Sequence, residues 1–145
     1  AKINPQTIYK KNLRGTRCTD VEFIGPFDRI MISGADFTGS KGAVINPQTI
    51  YDNDLKETKC ANVEFIGPFD RIMISGADFT GSKGAMIDPQ TIYDKNLLRT
   101  VCTDVEFTGS FDNVRMNDET LLEGSNARYI DSYERVKESI KKLIK

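Results

Sequence analysis

The chain has no His and no Trp, and only three Cys among its 145 residues. The missing His removes the commonest general base, the commonest metal ligand and every Ser-His or Cys-His nucleophile pair. No run of 18 apolar residues occurs, and no basic-then-apolar leader opens the chain, so neither a membrane span nor a secretion signal is expected. The protein is therefore read as soluble and cytoplasmic, with no membrane contact. An excess of one charge is also lacking: 20 Lys and Arg face 21 Asp and Glu, a net charge of -1. No whole-chain field steers it toward nucleic acid, and no direct nucleic-acid contact is expected. A chain of this length is about one domain's worth and can hold one core.

What the sequence does have is a repeat, the feature to look for before any motif. Residues 3–44 match residues 45–86 at 33 of 42 positions, and Val21 to Ala43 recurs unchanged as Val63 to Ala85. A third copy begins at Ile87, keeps IDPQTIYDKNL and CTDVEF, and diverges after Phe107. The units thus lie near 3–44, 45–86 and 87–126, within a region 1–126 that precedes a distinct tail, 127–145.

Each unit carries a beat of five. Apolar marks fall at Ile8, Leu13, Cys18 and Phe23, then at Phe27, Ile32, Phe37 and the small Gly42. The series restarts at Ile50, Leu55, Cys60, Phe65, Phe69, Ile74, Phe79 and Gly84, and again at Ile92, Leu97, Cys102, Phe107, Phe111, Met116, Leu121 and Asn126. Neither a period of 3.6 nor one of 2.0 produces this spacing, so amphipathic helix and alternating strand both fit poorly. A corner every five residues does fit. Folded onto four columns, the marks fill two with large apolar residues throughout. In the third, Cys18, Cys60 and Cys102 alternate with Phe37, Phe79 and Leu121. In the fourth, Phe23, Phe65 and Phe107 alternate with Gly42, Gly84 and Asn126. Large against small in opposite phase is what a narrow, close-packed interior requires. The marks other than Gly42, Gly84 and Asn126 form the expected core.

Gly34-Ala35-Asp36-Phe37-Thr38-Gly39, its copy Gly76 to Gly81, and Cys60-Ala61-Asn62-Val63 carry a resemblance. They resemble the A-(D/N)-L-x-x signature of pentapeptide-repeat proteins over roughly residues 6–126. The resemblance implies an all-β solenoid, a right-handed four-sided β-helix of about six coils. It implies inward residues at each mark and two positions before it, where Ala35, Ala77, Val21, Val63, Ile30 and Ile72 comply. Lys11, Asn53, Lys95 and Glu119 depart from that pattern. The eight-residue steps through Asn46-Pro47 and Asp88-Pro89 predict a small bulge, since Pro cannot donate to a ladder and Asn or Asp favours a turn.

In the tail, Ile130, Tyr133, Val136, Ile140 and Leu143 fall at helical spacing, with Asp131 and Glu134 placed as a capping box. An α-helix of about three turns is predicted there, covering the open end of the last coil. The other use of such a helix is to join two subunits. A monomer is expected ahead of a homodimer through this helix.

No residue set converges on chemistry. Cys18, Cys60 and Cys102 lie two coils apart on one face, too far for a disulfide or shared metal, and read as buried free thiols. Asp28, Asp70 and Asp112 with Glu22, Glu64 and Glu106 lack a calcium-loop arrangement, and alternate with Arg29, Arg71, Lys41 and Lys83 as a solvated face. Asp36 and Asp78 read as turn-stabilising residues. Gly-Ser-Lys-Gly at 39–42 and 81–84 lacks the spacing of a phosphate-binding loop. Met31, Met73, Tyr9, Tyr51 and Tyr93 are expected to face outward, as residue types enriched at interfaces.

No catalytic residue, cofactor or metal is therefore expected, and the chain reads as non-enzymatic, a β-helical scaffold or protein-interaction module with an unknown protein partner. The family resemblance implies an alternative, a DNA-mimicking protein that binds gyrase. Such mimicry needs strongly negative faces. Residues 1–44 instead carry seven Lys or Arg against four acids.

Overall fold

The computed structural model describes residues 1–125, and regular structure in them is brief. Strand β1 (Lys2–Ile3) pairs in parallel with β2 (Glu22–Phe23), β3 (Ala43–Ile45) with β4 (Val63–Phe65), and β5 (Met86–Ile87) with β6 (Glu106–Phe107). These are three separate two-stranded sheets. Elsewhere successive passes of the chain touch through isolated parallel bridges, as in the series Arg17, Asp36, Lys59, Asp78, Val101, Leu121.

This arrangement corrects the expected four-sided β-helix. The described residues contain no closed or solenoid sheet and no α-helix, only four three-residue 3-10 turns. The expected C-terminal helix, with Ile130, Tyr133, Val136, Ile140 and Leu143, lies outside the described residues, as does Asn126. The physical reason for the short strands is the density of left-handed corners. Among the described residues, fourteen that are not glycine, including Asp20, Arg29, Glu57, Asn62 and Arg99, have positive φ. An extended segment ends wherever φ changes sign, so two or three residues remain for pairing on each side.

The interior is nonetheless continuous. Leu13, Cys18, Phe23, Phe27, Ile32, Phe37, Ile50, Leu55, Cys60, Phe65, Phe69, Ile74, Phe79, Ile92, Leu97, Cys102, Phe107 and Phe111 are all buried in one cluster. Aromatic triads organise it. Phe23, Phe27 and Phe37 pack edge to face at 5.0, 5.8 and 5.9 Å between centroids. Phe65, Phe69 and Phe79 repeat the arrangement at 5.1, 5.7 and 5.8 Å. Phe107 and Phe111 keep a pair at 4.9 Å, and no third Phe follows them in the sequence.

Several expected core positions differ. Ile8 and Met116 are only half-buried. Leu121 is 43 % exposed and Leu122, at 6 %, takes the inward place. Gly42 and Gly84 are exposed, with Ala43 and Ala85 buried beside them. Backbone approach explains the glycines: φ is +75° and +74°, and a Cβ would strike the carbonyl oxygens of Phe23 and Phe65. Only Gly fits such a corner. The inward slot therefore passes to the next small residue.

The predicted irregularity at the Pro steps is a turn. Asn46 Oδ1 accepts from the Gln48 amide at 2.9 Å, and Asn4 and Asp88 do the same for Gln6 and Gln90.

Candidate functional site

Cys18, Cys60 and Cys102 are free and buried. Their thiols lie 3.9, 3.7 and 3.9 Å from the carbonyls of Thr16, Thr58 and Thr100, weak contacts for a poor donor. Burial, with a smaller contribution from Asp36, pushes the Cys18 thiol up to about 11. Burial and Asp78 raise Cys60 and Cys102 further. A thiol held neutral is a poor nucleophile and a poor metal ligand. Three buried hydroxyls are spent on backbone: Thr58 donates to Ile32, Thr100 to Ile74 and Thr120 to Leu97, at 3.2, 3.2 and 2.7 Å.

The carboxylates do not converge. Asp36 and Asp78 accept from the Thr38 and Thr80 amides at 2.9 and 3.0 Å. Hydrogen bonds from Thr38, helped by Lys59 and Arg17, hold the Asp36 carboxyl below its ordinary range. Asp28, Asp70 and Asp112 are exposed. Glu22 neighbours Lys41, and Glu64 neighbours Lys83, across parallel bridges. The ion pairs among the described residues are elsewhere, Glu57 with Arg99 at 2.7 Å and Asp94 with Arg115 at 2.5 Å. Among the described residues no group of three or more acid or Cys side chains is placed to hold a metal ion.

The Gly-Ser-Lys-Gly segment lines a shallow groove of about 340 Å³. Glu64 lies in it with Lys41 and Lys83, and this alternation gives an anion no cradle.

The outward tyrosines form a recurrent surface feature. Tyr9, Tyr51 and Tyr93 are 81 %, 56 % and 58 % exposed, while Met31 and Met73, expected outward, are half-buried. The tyrosines open equivalent turns: Asn12, Asp54 and Asn96 donate back to Tyr9, Tyr51 and Tyr93. Intervening passes join these turns into one edge. Met31 N–H donates to Lys11 and Tyr51 N–H to Ile30, at 2.9 and 3.1 Å. Met73 N–H then donates to Asn53 and Tyr93 N–H to Ile72, at 2.9 and 3.1 Å. Two passes at the usual strand spacing put successive tyrosines about 9.6 Å apart.

The spacing of the marks did not disclose one recurrent device. Gln48 Nε2 donates to the Pro68 and Asp70 carbonyls at 3.0 and 2.9 Å. Gln6 and Gln90 make the same two bonds to Pro26 and Asp28, and to Ser110 and Asp112. The signal available was the invariance of Gln in all three Pro-Gln-Thr segments. Among the described residues, no helix is long and apolar enough to cross a membrane. No family model, curated protein or solved structure matches the chain.

Proposed function

We propose that the chain is a non-catalytic protein-interaction module whose binding edge is the tyrosine stripe Tyr9, Tyr51 and Tyr93. The observation that carries this reading is the exposure of three aromatic rings at equivalent turns along one edge. Tyr supplies large contact area for little conformational entropy and is enriched where proteins meet. A catalytic role finds less support, because the thiols are buried and neutral and the buried Thr58, Thr100 and Thr120 hydroxyls are bonded to backbone, leaving Ser40 and Ser82 as buried hydroxyls with no hydrogen-bonded base among the described residues, in a chain without His. Gyrase binding by mimicry of a polyanion is also less well supported: the bridge series Arg17, Asp36, Lys59, Asp78 alternates in sign.

The test is capture. Immobilised chain and a variant with Tyr9, Tyr51 and Tyr93 changed to Ser are exposed to the same lysate, and bound proteins are identified by mass spectrometry. A species held by the first and lost from the second is expected. Identical captures by both would overturn the assignment of the edge.

A further inference from the structure

We propose that the partner of the upper half of this edge is a second copy of the same chain, docked antiparallel about a two-fold axis through the Asp28-Arg29 turn. The inference rests on the reading of the stripe as an interaction edge and names its occupant.

The three turns share one backbone but not one charge. Lys10, Asp52 and Asp94 occupy the same site with φ of 53°, 58° and 56°, followed by Lys11, Asn53 and Lys95 at 51°, 52° and 48°. Two successive left-handed residues suit Asp and Asn, whose short polar side chains tolerate that region, and disfavour Lys. The first turn thus places two lysines where local preference favours what the second turn has. Lys10 is fully outward beside Tyr9, with its Nζ 5.4 Å from the ring centroid. At the second turn Asp52 is exposed and Asp54 half-buried beside Tyr51. The first turn is cationic and the second anionic, with Arg14 the one cation among the described residues sharing the cavity beside Tyr51, Asp52 and Asp54, and each turn offers a tyrosine.

Between them lies the turn of Asp28 and Arg29, both exposed, with Arg29 at φ 63°. An isologous contact brings residue i to j and j to i. A two-fold axis at this turn sets Tyr9 against Tyr51 of the second copy, Lys10 against its Asp52, and Asp28 against its Arg29, each pairing made twice. Opposite charges meet at Lys10 with Asp52 and at Asp28 with Arg29, while Lys11 meets the neutral Asn53. Moving the axis to Tyr51 would instead set Asp52 and Asp54 against their own copies, a like-charge contact that costs affinity. The stripe is narrow, so the dimer is weak and salt-sensitive. This departs from the monomer that the sequence leads one to expect.

Sedimentation equilibrium of the full chain at low and high salt tests the proposal. Wild type is expected to dimerise reversibly, more tightly at low salt. Lys10→Asp and Asp52→Lys should each weaken the dimer about tenfold or more, while an equimolar mixture of the two variants and the double variant should recover it. Folding is not the obstacle, since Asp occupies the equivalent site at positions 52 and 94 and Lys occupies it at position 10. A wild-type monomer at the highest attainable concentration and low salt would overturn the proposal. So would a dimer indifferent to both substitutions, or one that the mixture fails to restore. Failure here is separable from failure of the broader reading: a monomer that still captures another protein through its tyrosines keeps the interaction edge and loses the second copy.

Discussion

Arg99 Nη1 donates to Glu57 Oε1 at 2.7 Å, joining residues 42 apart in sequence across Gly76. Gly76 has φ +74°, and a Cβ there would meet the Glu57 carboxylate. The glycine therefore serves both the turn and the pair that passes over it. Gly34 has the same φ, but only the Gly15 backbone at 3.6 Å is near it. We expect Gly34→Ala to cost about 1–2 kcal/mol from left-handed strain alone. Gly76→Ala should cost that plus the pair, whose partners are 46 % and 53 % exposed, so about 0.2–1 kcal/mol more. Urea denaturation of both variants, and of Gly76→Ala with Arg99→Ala, separates the two contributions.

The Gln48 amide holds two carbonyls of the neighbouring pass, and a carboxylate in its place would face both with no donor. Gln48→Ala is expected to cost about 1 kcal/mol, and Gln48→Glu more. The Glu variant should regain stability as the pH falls from 7 toward about 4, since the two carbonyls raise its folded-state value above the unfolded one and the protonated side chain again donates to one carbonyl. Denaturation midpoints at pH 7 and pH 4 check this; a Glu variant that loses stability on acidification faster than the wild type would contradict the clamp.

Leu121 and Leu122 test the register of the last described pass. Leu122 is 6 % exposed and Leu121 43 %. Leu122→Ala should cost about 2–5 kcal/mol and Leu121→Ala less than about 0.5 kcal/mol. The reverse ranking in thermal or chemical unfolding would restore the five-residue count.

The three thiols should resist a chromogenic thiol reagent at pH 8 in native protein and react fully on denaturation. Their folded-state values lie above the ordinary 9.0, with Cys18 at about 11. Raised folded values mean that the native state holds protons which the unfolded state has released. Stability from this source is intact below the unfolded thiol range and declines as the pH rises through it toward about 11. Unfolding midpoints should fall between pH 8 and pH 10, and less steeply when Cys60 and Cys102 are replaced by Ala. An equal slope in that variant would assign the decline to other groups.

Much of the interior was legible because burial follows a one-dimensional rule. Leu55, Cys60, Phe65, Ile74 and Phe79 recur at fixed intervals, and each is 3 % exposed or less. The rule failed where backbone met backbone. Nothing in the spacing of Gly42 says that the Phe23 carbonyl lies against its Cα, and that contact is what hands the inward slot to Ala43. It failed again where extension was assumed to persist: corners at Asp20, Arg29 and Glu57 cut the backbone into segments too short for a continuous sheet. The tyrosines could be named as outward residues. Their alignment could not, because it depends on the hydrogen bonds from Met31 and Tyr51 that set one pass over the next.

Most of the side chains that avoid water, the want of His for acid-base or metal chemistry, and the restatement of the 42-residue unit as far as Phe107 are readable from side-chain type and interval alone, with Leu121 and Leu122 an exception in register. Where strands begin and end, the Gln48 clamp on two carbonyls, the meeting of Glu57 with Arg99, and the shared edge of Tyr9, Tyr51 and Tyr93 emerge from the packing of the passes. Those features are distances between residues about 20 to 42 positions apart in the chain, and they exist only once the passes are packed together.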